Sequence, residues 1–401
     1  MRSTRVITTL LLAGVALPAA NMDEFKRDCA AFGAAPALKP LVGCLSDFFT
    51  LSPIHPVIQS IVPGGGTGVG LNYKLDKPGD WHKMFTVSGA VSMRVFWKAE
   101  TRMTLLHPVL ATWNKDNEDQ AVHFYFRARG LPQMPFYGIG NGTAKSALTD
   151  FEQRDLSFGG DASTPVTSWL GLGGVLEGIK PDINGIHSGS IRSIDTYFSE
   201  ATAPGLSSQP TFAHSEVYAH IHHKYPFEFD GHVGYHTFAT GNSNYSFQRF
   251  RAEVTHNIYP ERINKRPKRD SVLSIHGVVS TSWAGKGDAL PFYLQETLGG
   301  SDINGAPTLR GFADYRFRAP NLVLLQTQYE RRIWQYVGVL GFYDAGQVAV
   351  NKGDLSFANM RQSFGFGISL WAESRVMFRM YVGLGSGEGI HNFFGIPAAL
   401  P

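Results

Sequence analysis

Apolar and polar residues alternate along many segments of this chain, and this period of two constrains its fold more than any other feature. Residues 85–97 carry Phe, Val, Met and Trp on one face and Thr, Ser and Arg on the other. The pattern recurs at 122–129, 249–254, 337–345 and 363–384. Successive side chains of a β-strand point to opposite faces, so the pattern predicts strands with one apolar and one polar face.

These predicted strands are longer and more numerous than an ordinary soluble domain needs. Many exceed ten residues, whereas soluble strands usually have about five or six. Alternating segments of about ten residues, apolar toward lipid and polar toward a lumen, are typical of membrane barrels, which satisfy their backbone hydrogen bonds by closure. We therefore predict an all-β fold, a transmembrane antiparallel β-barrel of about 16 strands, rather than a secreted soluble β protein.

Sixteen segments of the sequence fit the strand pattern. They are 66–75, 82–97, 99–113, 118–130, 150–160, 165–177, 212–223, 227–238, 244–258, 270–283, 288–298, 320–333, 335–350, 359–372, 374–385 and 389–397. The residues between them at 178–211 and 299–319 are predicted to be long connections. A net charge of only +3 gives no reason to expect a nucleic-acid partner.

The first residues are predicted to be a targeting segment. Residues 1–20 combine two arginines, an apolar run and small residues, as a secretory signal peptide does. Residues 21–63, rich in proline, are predicted to form a short N-terminal periplasmic extension, with the barrel over 64–401. In an oxidising compartment Cys29 and Cys44 could form a disulfide, although two unpaired thiols remain an alternative.

The histidines invite a metal hypothesis. His214, His220 and His222 share one face of a predicted strand with Glu216 and Tyr218. Imidazoles at this spacing could bind zinc or copper, but no cysteine or compact motif accompanies them. A polar stripe facing a wet lumen is the favoured interpretation, so we predict no metal site. The sequence also lacks a nucleophile elbow and a P-loop, and we predict neither an enzyme nor a cofactor.

A polar, glycine-rich stretch at 299–315 (GGSDINGAPTLRGFADY) carries one arginine between apolar neighbours. Leu309 and Phe312 favour burial, so this loop is predicted to dock on the rest of the protein. Gly311 lets the backbone bend where a side chain would clash. Arg310, once buried, requires a carboxylate partner.

Carboxylates for this arginine occur on two neighbouring predicted strands. Phe342, Asp344 and Gly346 share the face opposite the apolar one, which should point into the lumen. Glu330 lies on the corresponding face of the preceding strand. Both acids are therefore candidates to receive Arg310, and Gly346 would leave room for its approach.

The motifs Leu309-Arg310-Gly311-Phe312, Tyr329-Glu330-Arg331 and Phe342-x-Asp344-x-Gly346, in this order, resemble those of the bacterial surface antigen superfamily of outer-membrane barrels (BamA/TamA-like). The resemblance implies sixteen strands and a long sixth extracellular loop folded into the lumen. There Arg310 would meet the wall around Asp344 and Glu330 and lock the loop. Residues 21–63 leave no room for POTRA domains, so the chain resembles a member without them.

The same resemblance implies a location and a role. The protein is expected in the outer membrane of a Gram-negative-type bacterium, surrounded by outer-membrane lipid. It would aid insertion or translocation of proteins or lipids, with client outer-membrane proteins and a separate periplasmic protein as partners. The alternative is a loop-plugged pore, scaffold or receptor without insertase activity.

Overall fold

The structure of the chain is a computed structural model, and it describes residues 53–79, 81–107, 120–223, 228–241, 244–260, 262–263, 266–267, 270–372 and 375–395. The predicted signal peptide and the cysteine pair Cys29 and Cys44 lie outside these residues.

The described residues form β-strands almost throughout, with one short helix. The strands are β1 (Ile54–Ser60), β2 (Thr67–Lys77), β3 (His82–Ser92), β4 (Trp97–His107), β5 (Gln120–Phe136), β6 (Thr149–Pro165), β7 (Leu170–Gly185), β8 (Arg192–Ser193), β9 (Phe212–His223), β10 (Glu228–Ala239), β11 (Phe247–Ile258), β12 (Arg262–Ile263), β13 (Arg266–Pro267), β14 (Ser271–Ala284), β15 (Glu296–Leu298), β16 (Phe317–Ala319), β17 (Asn321–Arg332), β18 (Val337–Ala349), β19 (Arg361–Ala372), β20 (Arg375–Gly385) and β21 (Gly389–Gly395). The helix α1 is Ile194–Tyr197, and 3₁₀ turns lie at Lys145–Ala147, Phe292–Leu294, Lys352–Asp354 and Phe357–Asn359.

Sixteen of these strands form one antiparallel ladder in chain order: β1–β7, β9–β11, β14 and β17–β21. The short strand β8 adds to this sheet by parallel pairing with β6. The pairs β12–β13 and β15–β16 are separate hairpin-like sheets. Between the described residues of β1 and β21, no ladder pairing is formed. The predicted antiparallel all-β architecture is confirmed.

The sheet is curled into a barrel around its sixth loop, residues 285–320 between β14 and β17. The Tyr315 hydroxyl donates to the Pro63 carbonyl, at 3.1 Å, in the connection between β1 and β2. The neighbouring Arg316 Nε donates to Glu388 Oε1, at 2.8 Å, in the connection between β20 and β21. Because adjacent loop residues contact both ends of the sheet, the sheet surrounds the loop.

The outward face of the barrel is apolar although it is not covered by protein. Val217 is 71% exposed, Phe366 67% and Phe158 61%. Their strand neighbours point inward and are either polar, as Glu216 and Tyr218 are beside Val217, or glycine, as on both sides of Phe366. Among the described residues, no helix is both long and apolar enough to cross a membrane.

Two boundaries were predicted wrongly. The sheet begins at Ile54, inside the segment 21–63 that was expected to precede the barrel. Prolines caused this error, because proline cannot donate to a ladder and normally argues against a strand. Pro56 is tolerated here because β1 pairs on one side with β2 and is otherwise an edge.

Residues 288–298, predicted to be a spanning strand, instead begin the sixth loop. They contain the 3₁₀ turn Phe292–Leu294 and only three residues of strand. Leu290, Phe292 and Tyr293 are buried in a core of aromatic and aliphatic side chains made with other loops. These apolar side chains therefore pack against other loops. The strand total of sixteen was right because one missed strand offset one surplus strand.

If the outward face contacts lipid, a charge placed on it must be costly. We expect Val217→Arg, in the middle of β9, to destabilise the folded barrel in bilayers by about 2–4 kcal/mol. Val217→Leu keeps the surface apolar and should fold as the parent does. Urea-driven unfolding in liposomes, followed by heat-modifiable migration, measures both. Equal stability of the arginine and leucine variants would argue against lipid contact at this face.

Candidate functional site

The sixth loop lies with its backbone directly against the backbone of β20. A Cβ atom on Gly311 would come within 2.4 Å of the Gly385 nitrogen. One on Gly383 would lie 2.3 Å from the Arg310 carbonyl oxygen, and one on Gly385 would lie 2.1 Å from the Gly311 oxygen. Real Cβ atoms do not approach so closely, so glycine at all three positions makes this contact possible.

Arg310 points from this docked segment into the barrel wall and forms a buried ion pair with Asp344 on β18. Its Nη2 donates to Asp344 Oδ1 at 2.7 Å, and its Nε donates to Oδ2 at 3.0 Å. Its backbone N–H also donates to Oδ2, at 3.0 Å. Nη1 donates to Gln328 Oε1 on β17. The bidentate fork fixes the orientation of the loop as well as its position.

Asp344 is fully buried, and the protein supplies every hydrogen bond that water would otherwise give it. Besides the three bonds from Arg310, it accepts one from Gln326 Nε2 at 3.2 Å and one from Ser363 Oγ at 3.2 Å. Gln326 also donates to the Thr308 carbonyl at 2.7 Å. A buried carboxylate without such partners would be strongly unfavourable, so the loop arginine is part of what makes this residue tolerable.

The remaining predicted site residues surround this pair. The Arg310 guanidinium carbon lies 3.8 Å from the Phe342 ring centre, a cation–π contact. Leu309 and Phe312 are fully buried in one apolar cluster with Leu298. A Cβ on Gly346 would lie 3.2 Å from the Leu298 side chain, so this glycine leaves room for the incoming loop.

Glu330 does not receive Arg310, which corrects the prediction of a direct contact. It lies further along β17 and accepts from Arg379 of β20, with Nη2 to Oε2 at 2.7 Å. Gln328 stands between the two acids, because its amide nitrogen donates to Glu330 Oε2 at 3.3 Å while its oxygen accepts from Arg310. Asp344 already occupies the fork of Arg310, so Glu330 pairs with a wall arginine instead.

A second ion pair anchors the beginning of the same loop with reversed polarity. Here the loop supplies the acid, Glu296, and the wall supplies Arg249 and Arg251 of β11. Arg251 Nη1 lies 2.9 Å from Glu296 Oε2, Arg249 Nη1 lies 3.2 Å from Oε1, and Ser280 Oγ donates to Oε1 at 2.9 Å. Burial alone would raise the pKa of Glu296, but the two guanidinium charges outweigh it and hold that pKa below its usual value.

The sequence pattern indicated the two wall arginines of this second anchor but not the acid that the loop contributes. Arg249 and Arg251 were visible as the polar face of a strand. Glu296 lies 45 residues further along the chain, in a segment mistaken for a spanning strand, and no motif marks it. Only the folded loop brings the three charges together.

Further arginines form hydrogen bonds at this end of the barrel, one within the sixth loop and two that involve the connection between β5 and β6. Arg316 Nη2 donates to the Thr143 carbonyl at 2.7 Å, in the connection between β5 and β6. Arg318 Nη1 donates to the Phe292 carbonyl at 2.7 Å. Arg361 Nη2 donates to the Asn141 carbonyl at 2.9 Å. These contacts close that end of the lumen with interlocked loops.

The histidines line the lumen and bind carboxylates. His214 Nδ1 lies 2.8 Å from Glu177 Oε1, and His232 Nε2 lies 3.0 Å from Glu216 Oε1. His220 Nε2 and His222 Nδ1 each lie 3.1 Å from Asp230 Oδ2. Within the part of the chain that the structure describes, no three acidic, histidine or cysteine side chains are arranged to hold a metal ion.

Asp314 is a half-buried acid of the loop, and its carboxylate accepts a hydrogen bond from a backbone N–H. Burial raises its pKa to about 6, and the hydrogen bond from the Ser301 N–H, at 2.9 Å from Oδ1, offsets only part of that effect. The neutral form is therefore the one that the folded loop favours.

The structure is therefore an antiparallel β-barrel whose interior is occupied by a loop, with a buried arginine–aspartate pair joining loop and wall. The fold is similar to BamA from Haemophilus ducreyi lacking POTRA domains 1–3, at 13% identity and a TM-score of 0.54, covering 85% of this chain and 68% of that one. It is also similar to CdiB from Escherichia coli, at 10% identity and a TM-score of 0.55, covering 85% of this chain and 62% of that one.

This chain therefore has the barrel fold of BamA and CdiB, and it spans about two thirds of those solved chains. No protein-family model matches the sequence, and no curated protein sequence matches it.

We expect the loop to loosen as Asp314 ionises. Its folded-state pKa of about 6 exceeds the ordinary value of 3.8, so its stabilising neutral form is complete below about pH 4 and lost as the pH rises through 6. Asp314→Asn should remove this loss, up to about 3 kcal/mol at neutral pH. Hydrogen exchange of residues 299–316 between pH 4 and 7.5 measures it. Asp288→Asn, elsewhere in the loop, is the control, and identical profiles for both variants would contradict the assignment.

Breaking the second anchor should release the start of the loop. Glu296→Gln leaves the half-buried Arg249 without its carboxylate and Arg251 with Glu253 alone, so we expect a loss below the about 3–5 kcal/mol typical of a broken, fully buried pair. Glu253→Gln is the matched control, because Glu253 also bonds Arg251, at 3.1 Å, but lies in the more exposed part of the lumen. Limited proteolysis within 285–320 should rise only for the first variant. Unchanged protease resistance of Glu296→Gln would rule out an anchoring role.

Proposed function

We propose that this protein is an outer-membrane barrel that aids insertion or translocation of other proteins at that membrane, with a sixth loop locked by Arg310 onto Asp344. The lock is the observation that carries the proposal. It combines a loop backbone seated on β20, a bidentate arginine and a carboxylate with no access to water. Likeness of fold to BamA and CdiB supports the same role.

The contacts explain how a locked loop would serve such a barrel. Strands β11, through Arg251, and β18, through Asp344, flank the two strands that the loop connects, and both are joined to the loop by ion pairs. The loop therefore braces the wall from inside. A wall held in this way can change its outer surface or its sheet edges without losing the shape of the lumen. Covalent chemistry is not part of the proposal.

Partners follow from the same reasoning. The expected clients are outer-membrane proteins, and a separate periplasmic protein would deliver them to the barrel. Outer-membrane lipid would surround the apolar outward face.

A loop-plugged pore is the second candidate, and one observation favours it. A cavity of about 330 Å³ opens in the lumen near the turn between β6 and β7, and polar side chains of β9 and β10 line it. Water or a small solute could enter the barrel there. The interlocked loops at the other end would then regulate passage.

The lock is tested by separating charge from geometry. Arg310→Ala leaves Asp344 buried without its cation, and we expect a loss of about 3–5 kcal/mol in unfolding free energy. Arg310→Lys keeps the charge but loses the bidentate fork, so its loss should be intermediate. Arg310→Ala combined with Asp344→Asn should recover part of the loss. A heat-modifiable gel shift and protease resistance equal to the parent in all three variants would refute the lock.

Activity is tested in liposomes containing the purified barrel. Accelerated folding of an added client barrel, reduced by Arg310→Ala and reduced less by Arg310→Lys at matched barrel content, supports the insertion role. Ion conductance without any acceleration of folding supports the pore instead. Neither effect, with a correctly folded barrel, would refute both candidates.

A further inference from the structure

The outward face of the barrel carries an open apolar groove over β5, β6 and β7. Its volume is about 770 Å³. Outward-facing side chains of β3–β7 form its walls: Phe85, Met103, Phe124, Phe126, Phe158 and Leu176. The walls are aromatic and aliphatic, and all six side chains are well exposed, from 38% at Phe85 to 69% at Leu176.

Two glycines make this part of the wall concave. Gly160 and Gly174 lie in the groove, where the neighbouring outward positions carry large side chains. A Cβ on Gly160 would lie 2.7 Å from the His123 carbonyl oxygen, and one on Gly174 would lie 3.1 Å from the Glu216 carbonyl oxygen. A side chain at either position would press on a neighbouring strand, so the packing of the sheet itself keeps the floor open.

The groove lies toward the end of the barrel opposite the interlocked loops. Its floor at Gly160 and Gly174 is a few residues from the turn 166–169. Trp81 and Trp169, 40% and 48% exposed, flank it at that end. Exposed tryptophans at strand ends are typical of the boundary between lipid headgroups and hydrocarbon. The groove therefore begins just inside that boundary, within reach of a lipid whose headgroup lies at the tryptophans.

We propose that this groove is a binding site for an acyl chain of a membrane lipid in the leaflet next to the turn 166–169. This inference rests on the proposed membrane location. Backbone groups along β5–β6 and β6–β7 are already paired in the ladder, so a partner strand could not bind there through main-chain hydrogen bonds. An acyl chain can bind there because it needs no main-chain hydrogen bonds. Because bilayer lipid is itself apolar, the bound chain is held by shape and van der Waals contact with the aromatic walls.

Photolabelling tests the site. The full chain is reconstituted in phosphatidylcholine vesicles with a small fraction of the same lipid bearing a diazirine on its acyl chain, and labelled residues are mapped by mass spectrometry. Phe158 and Phe364, 61% and 58% exposed on different strands, form a matched pair. We expect severalfold more label around Phe158, because a chain held in the groove stays against its walls, and this ratio should stay constant as the probe fraction rises.

The outcomes separate the site from the membrane location. Equal labelling at Phe158 and Phe364 at every probe fraction would overturn the site while leaving the barrel in the membrane. Absence of label at both would overturn the membrane location as well. Leu176→Ala removes one wall and should abolish the enrichment, whereas Leu172→Ala, on the same outward face of β7 but outside the groove, should retain it. Loss of enrichment in both variants, with both folded, would also contradict the site.

Discussion

The position of the sixth loop and the stability of the barrel wall both depend on one fully buried carboxylate. Asp344 lies within the wall of a barrel, and its ionised form is tolerable only because five donors point at it. Three of those donors belong to one loop residue, Arg310. The wall is therefore incomplete without its loop, and among the described residues Asp344 is the carboxylate that pairs with Arg310. Loop position, wall stability and the closure of one end of the lumen follow from the same charge pair.

The charge pair alone would not hold the loop in place, because the loop backbone must also come very close to the backbone of β20. Gly383 and Gly385 on the strand and Gly311 on the loop remove the side chains that would hold the two apart. The steric and electrostatic parts of the site are thus separate. Glycines set the distance, and Arg310 sets the orientation.

Much of this arrangement was readable in the sequence, since strand alternation is local and the motifs around Arg310 and Asp344 are compact. Side-chain pairings that depend on the order of the strands around the lumen could not be predicted from the sequence. Glu330 was assigned to Arg310, although it pairs with Arg379, from a strand three places away in the sheet. Glu296 was missed because its apolar surroundings imitate a strand. The edge strand β1 was missed because proline rules describe strands paired on both sides.

Residues 315 and 316 contact the connections at the two ends of the sheet, and this has a consequence for how the protein folds. The Tyr315–Pro63 bond joins residues 252 apart in the chain, and Arg316 meets Glu388 across 72 residues. Such contacts form only after nearly every strand has been synthesised and curled, since closing long loops is slow. Interactions that form after the transition state slow unfolding more than they speed folding. We therefore expect the docked loop to set the lifetime of the assembled barrel rather than the rate of its assembly.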